Sequence, residues 1–366
     1  MIVAVLGGSN GAFATAADLA LAGHRVRLWR RSPADARALA QGITLTAEGR
    51  QGSARLDMAT ADVAEAVRDA DVVIAPLPAS THEDLGRRLA GVLTDKQVVL
   101  LGAATLGSFV IAREIARAGK TLPLALADTG TLAYLARKTG PAAVAAPVRA
   151  ANLPVGVFPA SRAKDALARV RELYPATRPC ADALDVALTN VGPVIHPPLV
   201  LVNAGPIDRG AFDIHAAGTT QSARRLIDAV DAERVASRTG WGFPAPHYEM
   251  ATYYDESRAA AGLYGAGAKA KLVASGLWNE ALTFEHRYVS EDVELGLPFL
   301  ESAARSVSVA SPATSGLLGV FGALLGRDLT GGRALDHLGV GDLTRREVLT
   351  LLEAGWDSHT WSRVIR

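Results

Sequence analysis

Histidine 196 stands where a titratable ring needs a reason. It lies in Asn190-Val191-Gly192-Pro193-Val194-Ile195-His196-Pro197-Pro198, an otherwise apolar stretch between a Gly-Pro break and a Pro-Pro pair that reads as a helix start. Pro197 and Pro198 carry no N–H, so the ring is expected to project from a rigid junction between helices. An imidazole mounted in this way, with an unperturbed pKa near neutrality, suits proton transfer. Such a histidine is usually accompanied by a carboxylate that fixes its tautomer and stabilises its charged form. The candidate segment is His286-Arg287-Tyr288-Val289-Ser290-Glu291-Asp292-Val293. Spacing alone does not choose between Glu291 and Asp292, because either also suits a solvated helix cap.

A second chemical signal comes at the start of the chain. Gly7-Gly8-Ser9-Asn10-Gly11-Ala12 follows the apolar run Ile2–Leu6 and precedes an alanine-rich helical stretch over 13–22 and a second strand-like run ending at Trp29. Strand, glycine turn, helix and strand stand in the order a dinucleotide site requires. Glycine lets the chain turn tightly and lets backbone N–H groups approach a pyrophosphate at the positive end of the helix. Against the pattern G-x-G-x-x-G/A, Ser9 replaces the middle glycine, leaving a hydroxyl that can donate to phosphate, and Ala12 fills the last position. The second strand ends in Arg30-Arg31-Ser32, where an NAD site usually places an acidic residue on the ribose 2′-OH. Two guanidinium groups and a hydroxyl suit a 2′-phosphate, so NADP(H) is the expected cofactor, with NAD(H) as the alternative.

These residues need elements to hold them. Apolar runs at Ile2–Leu6, Arg25–Trp29, Val72–Ala75 and Val98–Leu101 alternate with helical stretches, the signature of a parallel α/β sheet. The loops after the last two runs, 76–82 and 102–105, should then face the cofactor, with His82 either capping a helix or lining the crevice. From about residue 183 the pattern becomes serially helical, over 184–190, 198–204, 222–239, 256–263, 295–306, 317–325 and 345–354. Only four of 20 aromatic residues fall in 1–150, so a second domain with different packing is expected. The boundary is placed near Ala181, giving a dinucleotide-binding domain over 1–181 and a helical domain over 182–366. Tyr248, Tyr253, Tyr254, Trp241 and Phe243 read as helical core or subunit interface.

Composition excludes other classes. With 38 Lys+Arg against 37 Asp+Glu, no overall field recruits nucleic acid or anionic lipid. The long uncharged stretches 186–207 and 306–326 are interrupted by Pro, Gly, Ser and Thr and read as buried helices, so no membrane partner is expected. Cys180 stands alone, which fits a reducing compartment, and the histidines show no metal-ligand spacing. No basic region precedes the first apolar run, so a cytoplasmic protein without a metal is expected.

The chain resembles the opine dehydrogenases, the octopine/nopaline dehydrogenase group. The resemblance is carried by the glycine turn, by Asp128-Thr129-Gly130-Thr131-Leu132-Ala133-Tyr134 with Arg137, by Asn-x-Gly-x-x-x-His-Pro at 190–197, and by Arg-Tyr-x-x-Glu-Asp-Val at 287–293 with Gly296-Leu297-Pro298. It continues through Gly326-Arg327-Asp328-Leu329 and 332–339. It implies a Rossmann-type parallel-sheet domain followed by an all-helical substrate domain, with the active site between them. By this resemblance His196 is the catalytic histidine, Asp292 its partner, and Arg287 a holder of the cofactor pyrophosphate. Asp128 and Thr131 fall near the substrate, although the family often has Glu where this chain has Asp128. The implied reaction joins an amino acid amine and a 2-keto acid as an imine and reduces it with a nicotinamide hydride, reversibly, in a homodimer. The alternatives are a two-domain reductase of keto or hydroxy acids that needs no amine, and a non-catalytic dinucleotide sensor.

Overall fold

The computed structural model describes residues 1–210, 213–279 and 282–365. In chain order its strands are β1 (Ile2–Leu6), β2 (Arg25–Trp29), β3 (Ile43–Ala47), β4 (Arg50–Ala54), β5 (Met58–Thr60), β6 (Val72–Ala75), β7 (Val98–Leu101), β8 (Ala125–Thr129), β9 (Tyr134–Gly140), β10 (Ala143–Arg149), β11 (Leu153–Phe158) and β12 (Thr177–Pro179). Eight of them form a sheet of order β12-β11-β8-β7-β6-β1-β2-β5. β1 pairs in parallel with β2 on one side and β6 on the other. The chain therefore reverses direction across the sheet at β1, and the crevice beyond the carboxyl ends of β1 and β6 is the place where such sheets bind ligands. These strands are apolar along their whole length because helices cover both faces.

The sheet is not wholly parallel, since β11 runs antiparallel to β8. A second, four-stranded sheet of order β4-β3-β10-β9 lies against helix α1 (Asn10–Leu21). Asp18 of α1 anchors it, accepting from Tyr134 Oη at 2.7 Å and from Arg50 at 2.9 Å, with Arg149 also paired to the carboxylate. Beyond residue 180 every described element is helical. The longest helix, Gln221–Trp241, is capped by the Thr220 hydroxyl and ends at Gly242 in the left-handed conformation. One apolar core runs from Phe109 and Phe158 under the sheet to Trp241, Phe299 and Phe321 in the helical half. Each such side chain contributes roughly 1.5–3 kcal/mol by burial, so the two halves share a substantial packed interface.

Two expected helices change. Residues 256–263 form only a short 3₁₀ turn, Ala259–Ala261. Asp255 turns the chain by accepting from Ser257 N–H and Oγ, and the Leu263 carbonyl then accepts from Ala151 and Asn152, so this loop lies on the end of the α/β half. Pro197 and Pro198 do not start a helix but sit inside Gly192–Val202, whose start is the Gly192-Pro193 pair. The carbonyls of Pro193 and Val194 lose their usual i+4 donors there. The apolar stretch Ala183–Val202 has the length and composition to cross a membrane, and 72% of its most apolar window is buried inside the fold.

Candidate active site

A cavity of about 390 Å³ opens between the halves, lined on one side by the turn after β1 and the loop after β6, and on the other by His196, Arg287, Tyr288, Glu291 and Asp292. On the first side, Gly7 turns the chain with φ +115°, a region closed to other residues, and its N–H donates to Trp29 O. Ser9 caps α1 by accepting from Ala12 N–H, and its hydroxyl donates to Pro76 O at 2.8 Å. That hydroxyl is thus committed to the β6 loop, and the expected donation from it to a phosphate is corrected. Asn10 accepts from Lys138 N–H at 2.9 Å, and Lys138 Nζ donates to Gly8 O at 3.2 Å. Gly8, Ser9, Asn10 and Gly11 line the cavity at the amino end of a twelve-residue helix, while Ala12 is buried behind them. This turn, with the Lys138 ammonium beside it, fits the phosphates of a dinucleotide.

Arg30 lies outside the cavity wall, its guanidinium 5.5 Å from the centre of the Phe13 ring and paired with Asp35 at 2.7 Å. Arg31 is exposed, and the Ser32 hydroxyl caps the next turn by accepting from Asp35 N–H.

On the second side, His196 Nδ1 is 2.6 Å from Asp292 Oδ2, which leaves Nε2 for the cavity. The two come from segments that pack unusually closely. Asp292 sits on a π-helix, Tyr288–Gly296, a wide-turned form found mostly at functional sites. A Cβ on Gly192 would fall 2.4 Å from Asp292 Oδ1, so only glycine lets the carboxylate reach the ring. The His196 ring stacks on Tyr288, with centroids 3.7 Å apart and planes at 13°, and the Tyr288 hydroxyl meets His215 Nε2 at 2.9 Å. Burial, and then Arg287 and Arg137, push His196 well below its usual pKa. Burial pushes Asp292 up to about 7, and His215 down to about 3. Burial thus favours the neutral imidazole over the imidazolium.

Residues 179–325 match the family model described as NAD/NADP octopine/nopaline dehydrogenase, alpha-helical domain, and residues 2–104 match that of an NADP oxidoreductase, coenzyme F420-dependent. Its helical half is thus similar to the octopine/nopaline dehydrogenases. An opine dehydrogenase from Arthrobacter sp. (strain 1C) is 29% identical over 358 residues, covering 96% of this chain and 98% of that protein. Among solved structures, octopine dehydrogenase with NADH and L-arginine superposes with a TM-score of 0.73 at 19% identity, and yersinopine dehydrogenase with NADP+ with 0.63 at 15%. These cover 96% and 97% of this chain, and 98% of each neighbour, and show a shared fold. The chain is an NAD(P)-dependent oxidoreductase, similar to the opine dehydrogenases.

Within this dehydrogenase the two residues carried over from the segment 128–134 part company. Thr131 lines the cavity and its hydroxyl meets Tyr264 Oη at 2.6 Å. Asp128 is fully buried behind the wall, accepting from Ser108 N–H and Oγ at 2.9 Å, and burial raises its pKa to about 7. It holds the start of the helix Gly107–Arg117, so its placement at the substrate is corrected. Of the two readings of His82 the crevice one is corrected: it closes the turn Ala79–Thr81 and starts the next helix, fully buried with Nδ1 facing Arg333 at 3.2 Å. Arg287, 41% exposed, pairs with Glu291 at 3.7 Å and lies over Tyr288. Arg137, stacked over Trp278 at 4.4 Å, Lys138, Tyr264, Tyr288 and His215 escaped the sequence reading, as did Tyr248 and Tyr253, read as core but lining the cavity. For Arg137, its place three residues after the 128–134 motif was the available signal. Tyr288 was marked by its place in Arg-Tyr-x-x-Glu-Asp-Val, and nothing local marked the others.

Proposed function

We propose that His196 is the general acid and base of an NAD(P)H-dependent reductive condensation between an amino acid amine and a 2-keto acid such as pyruvate. The observation that carries this reading is the His196 Nδ1–Asp292 hydrogen bond, which aims Nε2 at a cavity shared with the glycine turn. The cofactor, when bound, supplies the hydride. The neutral imidazole accepts a proton from the incoming ammonium, freeing the amine to attack the keto carbon. As imidazolium it returns the proton to the hydroxyl that leaves as water when the imine forms. Asp292 stabilises the charged ring and keeps its tautomer. Tyr288 and His215 fix the ring plane from behind.

Arg287 was expected at the pyrophosphate. We place it instead, with Arg137, at the keto acid carboxylate, because both guanidinium groups act on His196 whereas the cations at the glycine turn are Lys138 and Arg30. The remaining wall is apolar and aromatic, with Met250, Leu263, Leu272, Tyr248, Tyr253 and Trp278. Glu249 pairs with Arg258, Glu291 with Arg287 and Asp292 with His196. An amine substrate with an uncharged, apolar side chain fits this wall better than a basic one. Arg30, Arg31 and Ser32 favour NADPH over NADH.

The test is a panel of amino acids against pyruvate with NADPH and NADH, followed by product mass. NADPH oxidation that requires both substrates, fastest with apolar amino acids, is the expected result. Oxidation with keto acid alone would mark a reductase that needs no amine, and binding without oxidation a sensor. A kcat/KM ratio that clearly favours NADH would end the 2′-phosphate reading.

A further inference from the structure

Glu291 and Asp292 are neighbours on one π-helix, yet only Asp292 touches the histidine. The Glu291 carboxylate reaches across the cleft, where Oε1 accepts from the N–H of Ala79 at 3.1 Å. Ala79 belongs to the loop after β6, the same loop whose Pro76 carbonyl receives the Ser9 hydroxyl of the glycine turn. The carbonyl of Ala79 is taken by the helical half too, accepting from Arg333 Nη2 at 2.5 Å. Both hydrogen-bonding groups of one buried α/β residue are thus held by side chains from the other half.

Arg333 is a buried cation whose partners are carbonyl oxygens and a ring nitrogen: Ala79 O, Ala104 O, Thr105 O and His82 Nδ1. Its grip on Ala104 and Thr105 falls in a loop after β7 where Ala103, Thr105 and Leu106 all have φ between +43° and +61°. Non-glycine residues in this region are strained and persist only when their surroundings hold them. Asn190, six residues before His196, donates to Thr105 Oγ1 at 3.2 Å and accepts from Gly192 N–H at 3.0 Å. Each member of the His196–Asp292 pair therefore has a residue close by in sequence that is bonded to a loop of the cofactor wall.

We propose that Glu291 and Arg333 are positioning residues that clamp the Ala79 peptide, and so set the distance between the cofactor wall and the His196–Asp292 pair. The proposal rests on the acid–base reading of that pair. It gives the second carboxylate of the Glu-Asp dipeptide, and the buried arginine of the tail, a defined task in the reaction.

Glu291→Ala and Glu291→Gln decide it. The Gln side-chain oxygen can still accept from Ala79 N–H, whereas Ala cannot. Hydrogen exchange over residues 76–82 should speed up about tenfold or more in the Ala variant and stay close to wild type in the Gln variant. This readout needs no turnover, so it judges the clamp even where the assigned reaction fails. In turnover, Glu291→Ala should lower kcat about tenfold and raise the isotope effect on kcat with deuterated NADPH, with Gln recovering most of the loss. A merely structural loss would lower kcat without moving the isotope effect. Arg333→Lys should speed exchange in both 76–82 and 102–107. Unchanged exchange in Glu291→Ala, or a Gln variant as impaired as Ala in both readouts, overturns the clamp. A wild-type protein that oxidises no cofactor with keto acid and amine overturns the reaction instead.

Discussion

The two walls of the cleft are built by opposite means. On the α/β side six consecutive residues, 7–12, form a turn whose chemistry is backbone N–H groups and a helix end, with Arg137 and Lys138 of β9 the charged side chains added to it. On the helical side the chemistry is side chains, brought together from residues 190–196, 215, 248–264 and 287–292. A backbone wall binds a constant group and tolerates many side chains, provided the turn can form. A side-chain wall performs one reaction and depends on every distance between its parts. Substitutions on the two walls should accordingly fail in different kinetic parameters, and the helical wall should show the larger losses.

The largest loss is expected at His196. In His196→Ala, kcat should drop about 10²–10⁴-fold, the usual contribution of a positioned acid–base group, while NADPH affinity measured by fluorescence titration stays nearly intact. Near-normal turnover would return this ring to the role of a core histidine. Asp292→Asn comes next. Its amide keeps a hydrogen bond to Nδ1 but favours the wrong tautomer and cannot balance an imidazolium, so kcat should fall about 10- to 100-fold with KM for cofactor unchanged. A variant in which cofactor affinity collapsed as far as kcat would blur the division between the walls.

The same division explains what the sequence disclosed. The glycine turn was legible because its strand, turn and helix are contiguous and obey local rules of period and sterics. The Asn190–His196 spacing was legible for a similar reason, since both lie on one short segment. The second sheet was not, because β10 pairs in parallel with β3 about a hundred residues earlier, and shifts of register against β9 blur the alternation. The Pro-Pro pair was read as a helix start although it lies in the interior, since the rule for proline at a first turn was already satisfied by Pro193. The π-helix has no period that a search for 3.6 would find. Tyr264 reaches Thr131 only because residues 256–263 lie along the α/β half rather than forming the expected helix.

Gly192→Ala sharpens the contrast without replacing a polar side chain. A methyl group there would lie 2.4 Å from Asp292 Oδ1, so either the π-helix or the carboxylate must shift. Overpacking of this kind costs about 1–3 kcal/mol of stability, and a misplaced aligning group should lower kcat about tenfold. Thermal unfolding and kcat on the same preparation separate the two effects. Stability lost without any change in kcat would show that the close approach serves packing alone.

The smallest effect concerns protons. Burial first, then Arg287 and Arg137, depress the pKa of His196. The ring therefore stays neutral as pH falls through its ordinary 6.5, and kcat/KM for opine oxidation, which uses the neutral base, should hold level there and decline only at lower pH. Stability follows the same sign. Below about 6.5 the unfolded chain takes up a proton that the folded ring refuses, so the contribution of this group declines as pH drops toward the depressed folded value. Arg287→Gln removes one of the two charges and should move the acid limb of kcat/KM upward, toward 6.5. Its KM for the keto acid should rise at the same time, because the carboxylate loses a guanidinium, while KM for NADPH stays put. If KM for NADPH rises instead, Arg287 belongs to the cofactor wall after all, and the carboxylate is left to Arg137 alone.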